Sequence, residues 1–262
     1  MSLSTDQAPK ASLGVGALIS DSFSVFFSKI IHILVLGFVP ALAGLVISGF
    51  VQGWGITVGL ETPAPGDFAV VPLFLSLILQ LAVYGIGVAM LVLLAYDAKQ
   101  GRSRPIAGYF IPALQSAVPI AILTMAATLL MGLGLVAFVI PGIWIYACLS
   151  VIVPAVMIDR SGFGALQRSF TLTKGYRWPI VVVLIVVMIC TGLINTAAMF
   201  LFGLMAAALG TGGLMIFVTV MGLSVIAALS YGLTGIALVL IHARLCEIKE
   251  GARISDLASV FD

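Results

Sequence analysis

The chain has 262 residues, of which 62% are apolar and only 8% charged, far from the roughly 25% charged residues of an average soluble domain. A soluble globular protein is excluded. So is a nucleic-acid binder, because the net charge is +2 and the basic residues are dispersed without a long basic run.

The first 29 residues lack a basic start followed by a compact apolar core and a small-residue cleavage site, so no cleavable signal is expected and the first span does the targeting. Within them, segment 11–29 carries Gly16-Ala17-Leu18 and Ser22-Phe23-Ser24 and reads as an interfacial element. A first span is expected over 30–51. Its following loop holds Glu61, Pro63, Pro65, Gly66 and Asp67, where solvated charges are expected. A second span, 69–95, returns the chain to Lys99, Arg102 and Arg104. The next stretch, 98–112, is too rich in Gly and Pro to read as a helix.

From Pro105 to Ile158 no residue is charged. At 1.5 Å per residue a crossing of about 30 Å needs about 20 residues, so this stretch accommodates two, 113–139 and 142–158. Pro141-Gly142 is the expected reversal between them. A re-entrant hairpin is the rival for the fourth, which is short and holds Pro154. Basic loops on both flanks require an even number of crossings or none. Within an interfacial segment 160–176, residues 162–174 then read as a helix lying in the interface, with Phe163, Leu166 and Phe170 at helical spacing, Asp159 or Ser161 as the cap and Gly175 as the stop. The last spans are expected at 179–207 and 214–241, divided by Gly210, Gly212 and Gly213, with a tail over 243–262.

The twelve Lys and Arg residues, from Lys10 and Lys29 to Arg244, Lys249 and Arg253, fall on alternate sides of these runs. The positive-inside rule therefore predicts both termini on the cytoplasmic side of an inner membrane. Trp54, Trp144 and Tyr146 are expected at the outer boundary, and Tyr96, Tyr109, Tyr176 and Trp178 at the inner one. Tyr84 and Tyr231 lie mid-span and are expected to hydrogen-bond within the bundle. The fold class is thus all-α: a polytopic bundle of six transmembrane helices with cytoplasmic interfacial helices. Gly164-Ala165-Leu166 and Ser169-Phe170-Thr171 echo the N-terminal segment, which raises the prospect of three units, each a surface segment and a two-helix hairpin.

Pro141-Gly142-Ile143, Pro154, Asp159, Ala165-Leu166, Arg168-Ser169, Leu172-Thr173-Lys174-Gly175 and Trp178 together resemble a known membrane domain. It occurs in some glycerophosphoryl diester phosphodiesterases and in many stand-alone bacterial membrane proteins. Arg244-Leu245, Lys249-Glu250-Gly251 and Val260-Phe261-Asp262 are similar to the same family's tail. In the fused enzymes the resemblance implies chemistry in a separate soluble barrel, for which this chain has no room.

No catalytic or cofactor constellation stands out. His32 and His242 sit at expected inner boundaries and read as satisfied interfacial histidines, and no Walker loop or nucleophile elbow is present. Cys148, Cys190 and Cys246 are too few and scattered for a disulfide framework or a zinc site and read as packing residues. No Asp, Glu, Lys or Arg falls inside an expected span, and Gln80, Gln115 and Asn195 are the amides there, read as interhelical glue. Small residues such as Ala228 with Gly232 suit close helix packing or contacts with a second copy. Arg160, Arg168, Lys174 and Arg177 are the candidate contacts for anionic lipid headgroups. The expected function is a non-enzymatic module that organises membrane lipids or a partner protein at the cytoplasmic face. The alternative is a permease or channel subunit for a small neutral solute.

Overall fold

The computed structural model describes residues 12–62, 70–102 and 104–251. Lys10, Pro63, Pro65, Gly66, Asp67, Arg253 and the tail motif Val260-Phe261-Asp262 lie outside the described residues. Among those described there are eleven α-helices and no strand: α1 Val15–Ser28, α2 Ile30–Gln52, α3 Trp54–Thr57, α4 Val70–Lys99, α5 Ala107–Gln115, α6 Ala117–Ala137, α7 Val139–Leu149, α8 Ile152–Met157, α9 Ala165–Thr173, α10 Arg177–Leu209 and α11 Gly213–Glu250. Six helical segments are long and apolar enough to cross a membrane, α7 and α8 counting together as Val139–Met157. The protein is an all-α, multi-pass membrane bundle. Its element order runs three times through a short helix, α1, α5 or α9, followed by two long helical segments.

Prolines set where the helices begin. Pro119, Pro141, Pro154 and Pro179 each stand at the third position of α6, α7, α8 and α10. A proline inside a helix lacks the N–H that would bond the carbonyl four residues back, and its ring collides with that carbonyl. In the first turn no such bond exists, so a helix restarted there loses nothing. The 113–139 and 142–158 boundaries shift for this reason. Residues 98–112, expected to be non-helical, contain most of α5, which breaks at Ser116 before Pro119 opens α6. The reversal lies at Phe138, whose backbone is extended (φ −163°, ψ 146°), and Pro141-Gly142 belongs to the start of α7. Pro154 interrupts the fourth crossing at Ser150 and Val151.

Gly142 has a different task from turning. A Cβ there would stand 2.5 Å from Leu135 Cγ and 2.7 Å from the Leu135 backbone N, so α6 and α7 touch through bare backbone. The same device joins α2 to α11, where a Cβ on Gly37 would meet Ala228 Cβ at 3.0 Å and Gly232 faces Ile33. Gly87 packs on Pro40 and Gly235 on Leu91, drawing α4 into this centre. The small-residue spacing serves intramolecular packing.

Two helices, α4 and α11, run well past the expected spans. α4 carries Asp97 and Lys99, and α11 runs nine residues past 241 to include Arg244, Glu247, Lys249 and Glu250. Helices do not end where apolarity ends, and charged residues close the ends that carry the basic groups. Large apolar side chains remain exposed along the outside, among them Val118, Ile122, Val182, Met188, Leu193 and Phe200, as a lipid-facing surface requires.

Candidate functional site

Charged residues gather where α4, α8 and α11 end and where α1, α5 and α9 lie. Each short helix is tied there by an ion pair. Asp21 of α1 meets Lys99 Nζ at 3.1 Å. Arg104, just before α5, places Nε 2.8 Å from Asp97 Oδ2 and donates from Nη2 to Oδ1 at 3.1 Å. Asp97 has no solvent exposure, and the Arg104 N–H in turn donates to the hydroxyl of buried Tyr109 at 3.1 Å.

The third tie is a network. Arg168 of α9 donates from Nε to Asp159 Oδ2 at 2.8 Å and also bonds both oxygens of Glu250. His242 Nε2 lies 3.1 Å from the same Asp159 oxygen, and Cys246 Sγ is 3.7 Å from that nitrogen and 3.9 Å from Arg168 Nη2. Burial alone would raise the Asp159 pKa, but the hydrogen bonds from His242 and Arg168 outweigh it and hold the carboxyl below its usual value. Glu250 first and Asp159 second strengthen the charged form of Arg168. Asp159 therefore does not cap the helix after it. Neither does Ser161, whose hydroxyl donates to the Ala155 carbonyl at 2.8 Å. Gly175, at φ +87°, does end the segment, in the left-handed region that favours glycine.

Asp159, His242 and Cys246 bring a carboxylate oxygen, a ring nitrogen and a sulfur within 4.8 Å of one another, the donor types of a zinc site. Counting cysteines alone missed this mixed set. The Arg168 guanidinium already stands against the carboxylate and the sulfur where a cation would bind, so like charge opposes a metal ion. The arrangement suits a polar latch that joins α8, α9 and α11.

The four expected headgroup residues do not form one surface. Arg168 is held by two carboxylates. Lys174 is exposed. Arg177 stacks on Trp144, 4.1 Å from the ring centroid, and its Nε is buried without a hydrogen-bond partner among the described residues. Trp144 thus shares a level with a residue from the basic side and does not mark an outer belt. Tyr146 is half-buried and lines a cavity with Tyr84 and Thr124. Arg160, at φ +50°, turns elsewhere.

Arg160 lines a cleft of about 500 Å³ with Arg102 and Arg104. Tyr96, Gln100, Gln115 and Ser116 add polar groups, and Leu93, Pro112, Pro119, Val156, Met157 and Ile158 supply an apolar wall. No carboxylate lines it among the described residues. Both polar atoms of the Gln100 amide are buried without a hydrogen-bond partner among the described residues. α4, α5, α6 and α8 contribute to this cleft, so it exists only because α5 folds back onto α4. Reading α5 as loop hid it. Compared with known protein families, curated proteins and solved structures, the chain matches none. Arg168 joins distant parts of the chain, bonding both Asp159 and Glu250.

Proposed function

We propose that the protein is a non-enzymatic member of the membrane-domain family it resembles, and that it binds anionic lipid headgroups in the cleft of Arg102, Arg104 and Arg160. One observation carries this reading: three guanidinium groups, that of Arg104 also paired with Asp97, lie with amide and hydroxyl donors over an apolar wall with no carboxylate in the lining among the described residues. Guanidinium forks match phosphate oxygens, and the apolar side suits the start of an acyl chain. The positive-inside pattern of the sequence supports placing this end in the cytoplasmic leaflet of a bacterial inner membrane. Each basic side chain near an anionic leaflet contributes about 1 kcal/mol of attraction, so Arg102 and Arg160, with Arg104 shared with Asp97, bias the lipid neighbourhood without closing a tight site.

The test is native mass spectrometry of gently extracted protein, comparing retained phosphatidylglycerol with phosphatidylethanolamine. The double variant Arg102→Gln with Arg160→Gln should lose the anionic preference, while Lys174→Gln should keep it. Unchanged retention in the double variant, with the protein still correctly inserted, would refute the proposal.

A further inference from the structure

A second cavity, of about 370 Å³, lies between α2, α4, α10 and α11 and is half open at the lipid face, where Leu77 and Met199 are exposed. Gln80, Tyr84, Asn195 and Tyr231 face it, and Ala41, Gly44, Leu45, Leu77, Met199 and Leu223 are among its apolar walls. Gln80 stands ten residues into α4, about 15 Å from its start, at a depth where hydrocarbon surrounds the bundle.

The polar groups here are not absorbed by the protein. Tyr84 and Tyr231 were expected to hydrogen-bond within the bundle. Instead their rings meet edge to face, with centroids 4.9 Å apart at 82°, and neither hydroxyl has a hydrogen-bond partner among the described residues. The Gln80 amide has none either. Asn195 donates through Nδ2 to the Thr191 carbonyl at 2.8 Å and to Ser230 Oγ at 3.0 Å, joining α10 to α11 and leaving Oδ1 as an acceptor. Asn195 is the glue its position implied, and Gln80 is not. These half-buried side chains face the cavity at a depth where an unmade bond is costly. The Gln80 amide, the Tyr84 and Tyr231 hydroxyls and the remaining Asn195 oxygen converging on one cavity are explained by a ligand that completes them.

The lining restricts the ligand. No lining residue is charged, so a carboxylate, phosphate or ammonium would enter without compensation. A pure hydrocarbon would fill the walls and leave the amide and hydroxyls unmade. We infer that this cavity binds a neutral lipophile through a hydroxyl or carbonyl group held by Gln80, Tyr231 and Asn195. The site is independent of the basic cleft and uses none of its residues.

Purified full-length protein in mild detergent should be labelled by a diazirine-bearing decanol, with the label mapped by mass spectrometry to α4, α10 and α11 around residues 77–84, 195–199 and 223–231. Unlabelled decanol should compete about tenfold better than decane or decanoate, the gain expected of one to two neutral hydrogen bonds. Gln80→Leu and Tyr231→Phe should each weaken labelling severalfold, and Arg102→Gln with Arg160→Gln should leave it unchanged. Equal competition by decane, or label spread evenly over the lipid-facing residues, would overturn the site. The competition series on the unaltered protein decides the question even if a variant fails to fold.

Discussion

Replacing Arg168 by Gln removes the centre of the α8–α9–α11 latch, and the structure apportions the loss. Asp159 is 14% exposed and would keep His242 as its only partner, whereas the Glu250 side chain is 35% exposed and can turn to water. Breaking a fully buried pair costs about 3–5 kcal/mol because the remaining charge is left uncompensated. Solvated pairs contribute about 0–1 kcal/mol. Asp159 lies between these limits and retains one hydrogen bond, so Arg168→Gln should cost about 2–3 kcal/mol, most of it through Asp159. Glu250→Gln should cost less than about 1 kcal/mol. Unfolding in mixed micelles by graded SDS measures both, and double-mutant cycles separate the two carboxylates. The expected coupling of Arg168 to Asp159 is at least twice that to Glu250. Equal couplings, or Glu250→Gln as costly as Arg168→Gln, would refute the assignment of Asp159 as the principal partner.

The depressed Asp159 pKa contributes stability that is present above the unfolded-state value of about 3.9 and lost as pH falls through the lower folded-state value. The difference in stability between the native protein and Asp159→Asn should therefore shrink as pH falls below about 4, which pH-dependent melting in detergent would follow. At the α6–α7 hairpin, Gly142→Ala should destabilise by about 1–3 kcal/mol through contact with the Leu135 backbone, and Pro141→Ala by less than about 1 kcal/mol. The reverse order in thermal unfolding would restore Pro141 as the turn-determining residue.

Composition and charge order made the membrane class and six long apolar segments legible, because both depend only on local residue type. The ends were less so. Apolarity stops at Ala95, yet backbone hydrogen bonding carries α4 through Asp97 to Lys99, and the carboxylate is tolerated because Arg104 returns to it. Pro141-Gly142 looked like a turn because both residues break helices. The missing N–H of Pro141 costs nothing in a first turn, and Gly142 is needed for contact across the hairpin. The candidate sites were legible only in part. Arg160 was named, but its companions Arg102 and Arg104 were assigned to a loop, since their position depends on the fold of α5. Arg168 and Asp159 read differently in sequence, because the partners they bond, Cys246, Glu250 and His242, lie 78, 82 and 83 positions away, and no local pattern reveals such pairings.

The ionic ties that hold α1, α5 and α9 at the basic end have little to offer as attraction alone, because partly exposed pairs are weak and buried ones lose much to desolvation. Their effect is positional. Apolar helices in lipid have no hydrophobic force to fix their rotation or depth, while an ionic partner is lost if a helix slides by one 5.4 Å turn. Asp97 tests this reasoning against simple electrostatics. Asp97→Asn removes a negative charge beside Arg104, so net charge alone predicts stronger retention of anionic lipid in the adjoining cleft. If the pair instead holds α5 on α4, Arg104, which is 41% exposed, swings to solvent and the cleft opens. Retention should then fall, toward the level of the Arg102→Gln and Arg160→Gln double variant. An increase in retained phosphatidylglycerol would mean that charge, and not position, is what Asp97 contributes.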